Sequence, residues 1–428
     1  MDRTTYADPA VAALIGERFV PVRVDADRRP DINERYNLGG WPTTAFLTAG
    51  GRLITGGTFV AADRMMSVLT RVAGAFEASA AEWATEQTEA QATEYPESRD
   101  GLDATGNDSA LIEAIYVTFD EEHGGFGVEP KFPHAAPVHL ALALVRDSND
   151  ARWRFAAERT LDAMWDGGLR DRASGGFFRY AATRDWQDPH VETLLETNAA
   201  LLELYAEASV VLGRPVDRDR TNAIARFITG TLRDPAGGYY GSDADRVLYA
   251  DVNAIAASAL LKAAAVLEDP DLARDALASF ERVLLACYKP GDGVAHYADA
   301  AAPVRGLLRD QVAAIGALLD AHELTGGEPY QMMAEEFGHF IARDLWDADA
   351  GGFFDRAARG DDIGLLRTRR TPFVQNAEAA IVLARLHRVS HAFDFAPYAA
   401  GALRAAGRQA PAQGPLAALY LLAARQVG

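Results

Sequence analysis

The chain has 428 residues, 49% of them hydrophobic and 24% charged, enough for two or three globular domains with a large buried core. Its formal net charge of −19 argues against nucleic acid and anionic membrane surfaces as partners, because phosphate binding needs Lys and Arg in excess. A lone Cys287 excludes an intramolecular disulfide and any Cys-x-x-Cys chemistry within the chain.

Residues 8–19 (DPAVAALIGERF) predict a helix, with Asp8 as N-cap and Pro9 at its first position. VPVRVDA (20–26) reads as a buried strand and RPDINERYN as a short helix. TTAFLT and RLITGG form a hairpin across Ala49-Gly50-Gly51, and 61–84 is a long amphipathic helix. The start, MDRTTYADP, lacks the basic and apolar regions of a secretory signal, and no apolar run reaches the roughly 18 residues of a spanning helix. A cytoplasmic location is expected.

Residues 85–107 are polar and acidic without apolar periodicity, which predicts a linker between a domain at 1–84 and a second at 108–428. In the second domain strand signals stop. Helical patterns occupy 108–120, 135–147, 151–165, 190–212, 217–233, 251–268, 270–287, 307–325, 328–345, 375–391, 395–406 and 413–426. Cys287, in the apolar run FERVLLACY, reads as a small buried hydrophobe.

A Gly-Gly-aromatic element recurs as HGGFG (123–127), SGGFFRY (174–180), AGGYYGS (236–242) and AGGFFDR (350–356), with DGVAHY (292–297) in a fifth unit. A helix opening with an amide follows: Asn198, Asn253, Gln311 and Asn376, spaced by 55, 58 and 65 residues. Helix pairs of this length suit a closed ring of six hairpins, an (α/α)6 barrel, with an open helical solenoid as the alternative.

Two stretches carry a family resemblance. VRVDADRRPDINERYNLGGWPTTAFLTAGGRLITGGTF resembles the C-terminal part of a thioredoxin fold, and Pro42 matches the proline that is cis there. With EPKFPH, GGFFRYAATRDWQDPHVETLLETNAALL and FVQNAEAAIVLARL, the chain resembles the spermatogenesis-associated protein 20-like family over nearly its full length. That resemblance implies a mostly α protein, an (α/α)6 six-hairpin barrel preceded by a partial thioredoxin-like α/β domain. In the family a Cys-x-x-Cys segment precedes the stretch matching Met1. The sequence contains none, so thiol–disulfide exchange does not carry over. Without the first half of that fold the 20–26 strand would be an edge, expected to be covered by the barrel, the linker or a second copy or partner chain.

The barrel resemblance implies a funnel lined by inner-helix starts and the loops before them. Aromatic faces for sugar C–H surfaces, with amides and carboxylates for hydroxyls, suit a small sugar-like ligand. His190, in WQDPHVETLL, matches the family's Pro-His and is the candidate for proton transfer, with His296 in GVAHY and His134 in KFPH as possible seconds. The sugar epimerases that such a barrel resembles use His in this way.

Glu192, Asp251 and Asp310 are the carboxylates that could instead serve glycoside hydrolysis; Asp251, beside a helix start, equally reads as a cap. Candidate ligand contacts are Lys131, Tyr180, Trp186, Asn198, Tyr240, Asn253, Gln311, Phe354 and Asn376. The structural alternatives are a loop-fixing ion pair for Lys131 and inter-helix hydrogen bonds for the amides. No metal-ligand spacing, phosphate loop or nucleophile elbow occurs, so no metal or cofactor is expected. A sugar isomerase or epimerase leads these readings, followed by a glycoside hydrolase and a non-enzymatic thioredoxin-like adaptor or scaffold.

Overall fold

The structure, a computed structural model, describes residues 1–85, 108–298 and 304–428. The chain forms two compact units: Met1–Tyr95 with Ala358–Arg370, and Pro96–Ala357 with Thr371–Gly428. The expected linker falls, apart from Thr85, outside the described residues. The first unit takes in 358–370, a segment the sequence gives no reason to separate from the barrel.

In the first unit, α1 (Pro9–Arg18) starts as expected, the Asp8 carboxylate accepting from the Ala10 and Val11 amides. α2 (Pro30–Tyr36) and the antiparallel pair β1 (Thr44–Leu47) and β2 (Leu53–Gly57) follow, then α3 (Ala62–Thr85). Val11, Met65 and Leu69 form a small core between α1 and α3. The Trp41–Pro42 peptide is cis.

The second segment of this unit contributes a 3-10 turn, Gly364–Arg367. The Tyr36 hydroxyl donates to the Gly51 carbonyl at 2.6 Å and accepts from the Leu365 amide at 3.0 Å. The buried Arg35 guanidinium donates to the Thr368 carbonyl at 2.8 Å. These bonds occupy polar groups that α2 and the turn would otherwise leave unsatisfied.

The strand expected over Val20–Ala26 does not form. These residues have no regular secondary structure, and Val20 and Val22 are 90% and 78% exposed. The physical reason lies in the pairing: β1 and β2 bond only each other, and among the described residues no strand offers this segment a ladder.

All twelve expected helices of the second unit are present: α4 (Asp108–Val117), α5 (Ala135–Ser148), α6 (Ala151–Asp166), α7 (Leu195–Val211), α8 (Pro215–Thr231), α9 (Ala250–Leu267), α10 (Pro270–Cys287), α11 (Leu308–Thr325), α12 (Glu328–Asp344), α13 (Phe373–Val389), α14 (Ala396–Gln409) and α15 (Ala418–Val427). A two-residue ribbon, β3 (Tyr288–Lys289) and β4 (Gly293–Val294), joins α10 to α11. Helix α5 packs on α7, α7 on α9, α9 on α11, α11 on α13, α13 on α15, and α15 back on α5. The ring is therefore closed, not a solenoid. Helices α6, α8, α10, α12 and α14 each pack against the inner helix of their own hairpin, and α4 packs on α15 to complete the sixth pair.

The inner helices bury most of their surface, as their Ala- and Leu-rich sequences require. Helix α9 is long and apolar enough to cross a bilayer, yet it is one of these inner staves.

Candidate active site at the inner-helix N-termini

The loops at 174–180, 236–242, 292–297 and 350–356 are each locked by the amide that opens the following inner helix, whereas in the loop at 123–127 the Gly125 amide donates to the Thr160 hydroxyl. The Asn253 carboxamide oxygen accepts from the Tyr239 amide at 2.7 Å, while its nitrogen donates to the Tyr239 and Tyr249 carbonyls at 2.9 and 2.8 Å. Asn198 holds Phe177 and Leu194 in the same way. Gln311 does so for Val294 and Leu307, and Asn376 for Phe353 and Pro372. All four amides are buried with their hydrogen bonds turned to backbone. They are clamps, which corrects their reading as ligand contacts. Gly238 sits at φ 90°, and a Cβ there would overlap Val283, so this turn needs glycine.

Two further candidates are structural. Lys131 is fully buried; its ammonium donates to Asp120 at 2.6 Å and to the Arg184 carbonyl at 2.9 Å. Burial disfavours the Asp120 carboxylate, but Arg184 and Lys131 outweigh it and hold its pKa well below the usual range. Trp186 is buried, its indole donating to the His123 carbonyl at 2.9 Å.

His190 precedes α7 by five residues and is not at a helix start. Its ring stacks on Tyr180 at 5.2 Å, and Nδ1 lies 3.8 Å from Glu192, whose carboxylate also meets Arg179 at 3.3 Å. His190, Glu192 and Tyr180 thus form a partly exposed group of their own. Tyr240 carries the Arg246 guanidinium over its ring at 5.1 Å, and Phe354 is half-buried. His134 is half-buried beside Phe132, and burial pushes its pKa down.

What the fold brings together is Asp251, His296 and Asp310. Asp251 and Arg309 occupy the first turns of the adjacent helices α9 and α11, so they meet at one end of the ring. The helix N-terminal dipoles favour acids there. Arg309 Nε donates to Asp251 Oδ2 at 2.6 Å and Nη2 to Glu196 Oε1 at 2.8 Å. The loop after β4 delivers His296, whose Nδ1 is 2.8 Å from Asp310 Oδ1 and 4.0 Å from Asp251 Oδ1. Asp251 makes no capping bond; the N-cap of α9 is Tyr249.

Burial pushes the Asp310 carboxyl up, partly opposed by His296. Glu378, on α13, completes the group. Burial pushes it up to about 7, with Arg309 opposing and Glu196 and Asp251 adding repulsion. Asp251 and Asp310 have essentially no accessible side-chain surface, whereas Arg309 keeps 35% and Glu196 51%. The cluster is therefore sealed at His296 and open at Glu196.

Further along the inner helices lies a second charged tier. Lys262 donates to Glu203 at 2.6 Å, and Arg385 to Asp320 at 2.5 Å; His139 meets Glu207 at 2.5 Å. Burial opposes ionisation of Glu203, yet Lys262 and His139 hold its pKa down at about 2. Cys287 is buried with its thiol pushed up to about 12 by burial and by Asp310, so it is no nucleophile.

Sequence reasoning had found Asp251, His296 and Asp310 but missed Arg309 and Glu378 as site residues. Arg309 is the second residue of α11 and Glu378 the sixth of α13, positions that no motif in the sequence singles out.

Comparison with known proteins fits both units. Residues 1–95 match the Thioredox_DsbH family, described as "Protein of unknown function, DUF255". Spermatogenesis-associated protein 20 of Mus musculus is 28% identical over 278 residues, covering 57% of this chain and 34% of the mouse protein. The chain thus spans about a third of the length of the curated relatives it matches. A sugar epimerase from a ruminal bacterium superposes with a TM-score of 0.59 at 13% identity, over 68% of this chain and 82% of the epimerase. An unsaturated glucuronyl hydrolase specific for heparin gives a TM-score of 0.52 at 13% identity, over 71% and 85%. At such identities the structural likeness speaks for the fold alone. The chain is similar to the spermatogenesis-associated protein 20 proteins over 57% of its length, its N-terminal unit matches a thioredoxin-like family model, and its helical ring has the six-hairpin fold seen in the epimerase and hydrolase structures.

Proposed function

We propose that the barrel is a sugar isomerase or epimerase whose reaction centre is the group Glu196, Asp251, His296, Arg309, Asp310 and Glu378. The observation that carries this reading is the collection of four carboxylates, one imidazole and one guanidinium at the inner-helix N-termini, sealed on one side and open on the other. A carboxyl poised near neutral pH can both give and take a proton. Glu378 would exchange the proton on the sugar carbon, while Arg309, the exposed cation of the group, would stabilise negative charge on the neighbouring oxygen and the buried Asp251 would hold Arg309 in place. The open Glu196–Arg309 side would admit a polyol and bond its hydroxyls.

The test is proton exchange. The protein is incubated in D2O with a panel of aldoses and ketoses, and deuterium at the carbon beside the carbonyl is followed by NMR. Wild type is expected to exchange at least one of them. Glu378→Gln should slow this by about a hundredfold or more, the scale of a lost general acid–base group. His190→Ala should leave it intact. Absence of exchange with every sugar, or full activity in Glu378→Gln, overturns the assignment.

Hydrolysis is favoured by one observation, that Glu378 and the ion-paired Asp251 carry carboxyls in contrasting environments, as acid and base pairs do in glycosidases. Release of reducing sugar from a glycoside without exchange would select that reading.

A further inference from the structure

Asp251, His296 and Asp310 each present a ligand-type atom, and these atoms all lie within 4.8 Å of one another. The three residues are 3%, 4% and 0% exposed. Asp251 Oδ1 and Asp310 Oδ2 have no hydrogen-bond partner despite complete burial. Leaving a buried carboxylate oxygen unpaired costs free energy that native structures rarely tolerate without a compensating group.

The charge balance points the same way. Four carboxylates converge here against Arg309 and His296, and Arg309 is already engaged by Asp251 Oδ2 and Glu196. A cation between the three residues would satisfy both orphaned oxygens at once.

The geometry points to a divalent cation bound by Asp251, His296 and Asp310, of the Mn2+ or Zn2+ class. Bonds of about 2.0–2.2 Å place neighbouring ligand atoms roughly 3 Å apart. His296 Nδ1 lies 2.8 Å from Asp310 Oδ1, on the same carboxylate as the orphaned Oδ2, and 4.0 Å from the orphaned Asp251 Oδ1, so ligation needs His296 to exchange its bond to Asp310 for one to the ion. Two carboxylates with one imidazole suit Mn2+ or Zn2+ better than Ca2+ or Mg2+, whose sites are built from oxygen. Arg309, holding the other oxygen of Asp251 at 2.6 Å, would fix that ligand's orientation. Three protein ligands leave coordination positions for water, or for an oxygen that reaches in from the open Glu196–Arg309 side. This assignment deepens the isomerase reading and rests on it only for what the cation does.

The experiment uses the whole chain, stripped with EDTA and titrated with Mn2+. Free Mn2+ is read by electron paramagnetic resonance, and the bound ion by its coupling to nitrogen. Wild type is expected to bind a single Mn2+ with imidazole nitrogen coupling. Asp310→Asn and His296→Gln should lose that ion, and Glu192→Gln should keep it. No saturable Mn2+ or Zn2+ binding by wild type, binding without nitrogen coupling, or undiminished binding by both variants overturns the site. Should a variant fail to fold, the wild-type nitrogen coupling decides. Sugar exchange at full rate in the stripped protein would remove the cation from the chemistry while sparing the isomerase reading. Mn2+ binding with no sugar exchange would support the site and remove that reading.

Discussion

Glu378 is a carboxyl that the fold keeps protonated through the mildly acidic range, because burial, Glu196 and Asp251 together outweigh Arg309. Its folded pKa of about 7 lies above the ordinary 4.5, so the native state holds a proton that the unfolded chain has already released. Stability from this group is full below pH 4.5 and is lost as pH rises through 7. The span corresponds to about 3 kcal/mol at most. Asp310, also raised by burial, adds in the same direction. Thermal unfolding of EDTA-treated protein should therefore show a midpoint that falls from pH 5 to pH 8, and Glu378→Gln should flatten that fall. An equal slope in the variant would mean that Glu378 ionises normally and that its neighbours do not act as described.

At the scale of the element, the repeating unit is a Gly-Gly-aromatic loop, an inner helix and the amide between them. Asn253→Ala would leave the Tyr239 amide and carbonyl and the Tyr249 carbonyl without the bonds they have at 2.7, 2.9 and 2.8 Å. The Tyr249 carbonyl keeps its bond from the residue 253 amide at 3.2 Å, so two buried groups are left unpaired at about 1–3 kcal/mol each, partly relieved if water enters. A drop of roughly 3 kcal/mol in unfolding free energy is expected by denaturant titration; a change below about 0.5 kcal/mol would return Asn253 to the list of ligand contacts. The sequence made the repeat visible through its glycines and amides, because both are demanded by local backbone geometry. It could not reveal which way the amides point, since an amide at an inner-helix start serves a loop or a ligand with equal chemistry. The Val20–Ala26 segment misled for a related reason: its apolar composition suits a strand, but strands exist only by pairing, and pairing is not local. Glu378 and Arg309 were illegible because they lie in separate repeats and acquire meaning only where the ring brings α11 and α13 together.

The ring itself sets how the whole barrel responds to damage. In an open solenoid each repeat touches only its neighbours, so a terminal repeat can be removed at the cost of one interface. Here α15 packs on α13 and α14 on one side and on α4 and α5 on the other, joining the last hairpin to the first. Ala418, Tyr420, Leu421 and Ala423 are buried in that seam. Deleting α15 would expose apolar surface on both of its neighbours and leave α4 without its inner partner. A chain ending at Gln413 is therefore expected to lose cooperative thermal unfolding and near-UV circular dichroism throughout the barrel, not in proportion to the residues removed. It should also lose Mn2+ binding, although Asp251, His296 and Asp310 stand on the other hairpins, because their separations depend on closure. A truncated chain that melted cooperatively within a few degrees of wild type would show that the repeats are held by nearest neighbours alone, and that the ring adds no constraint to the site it surrounds.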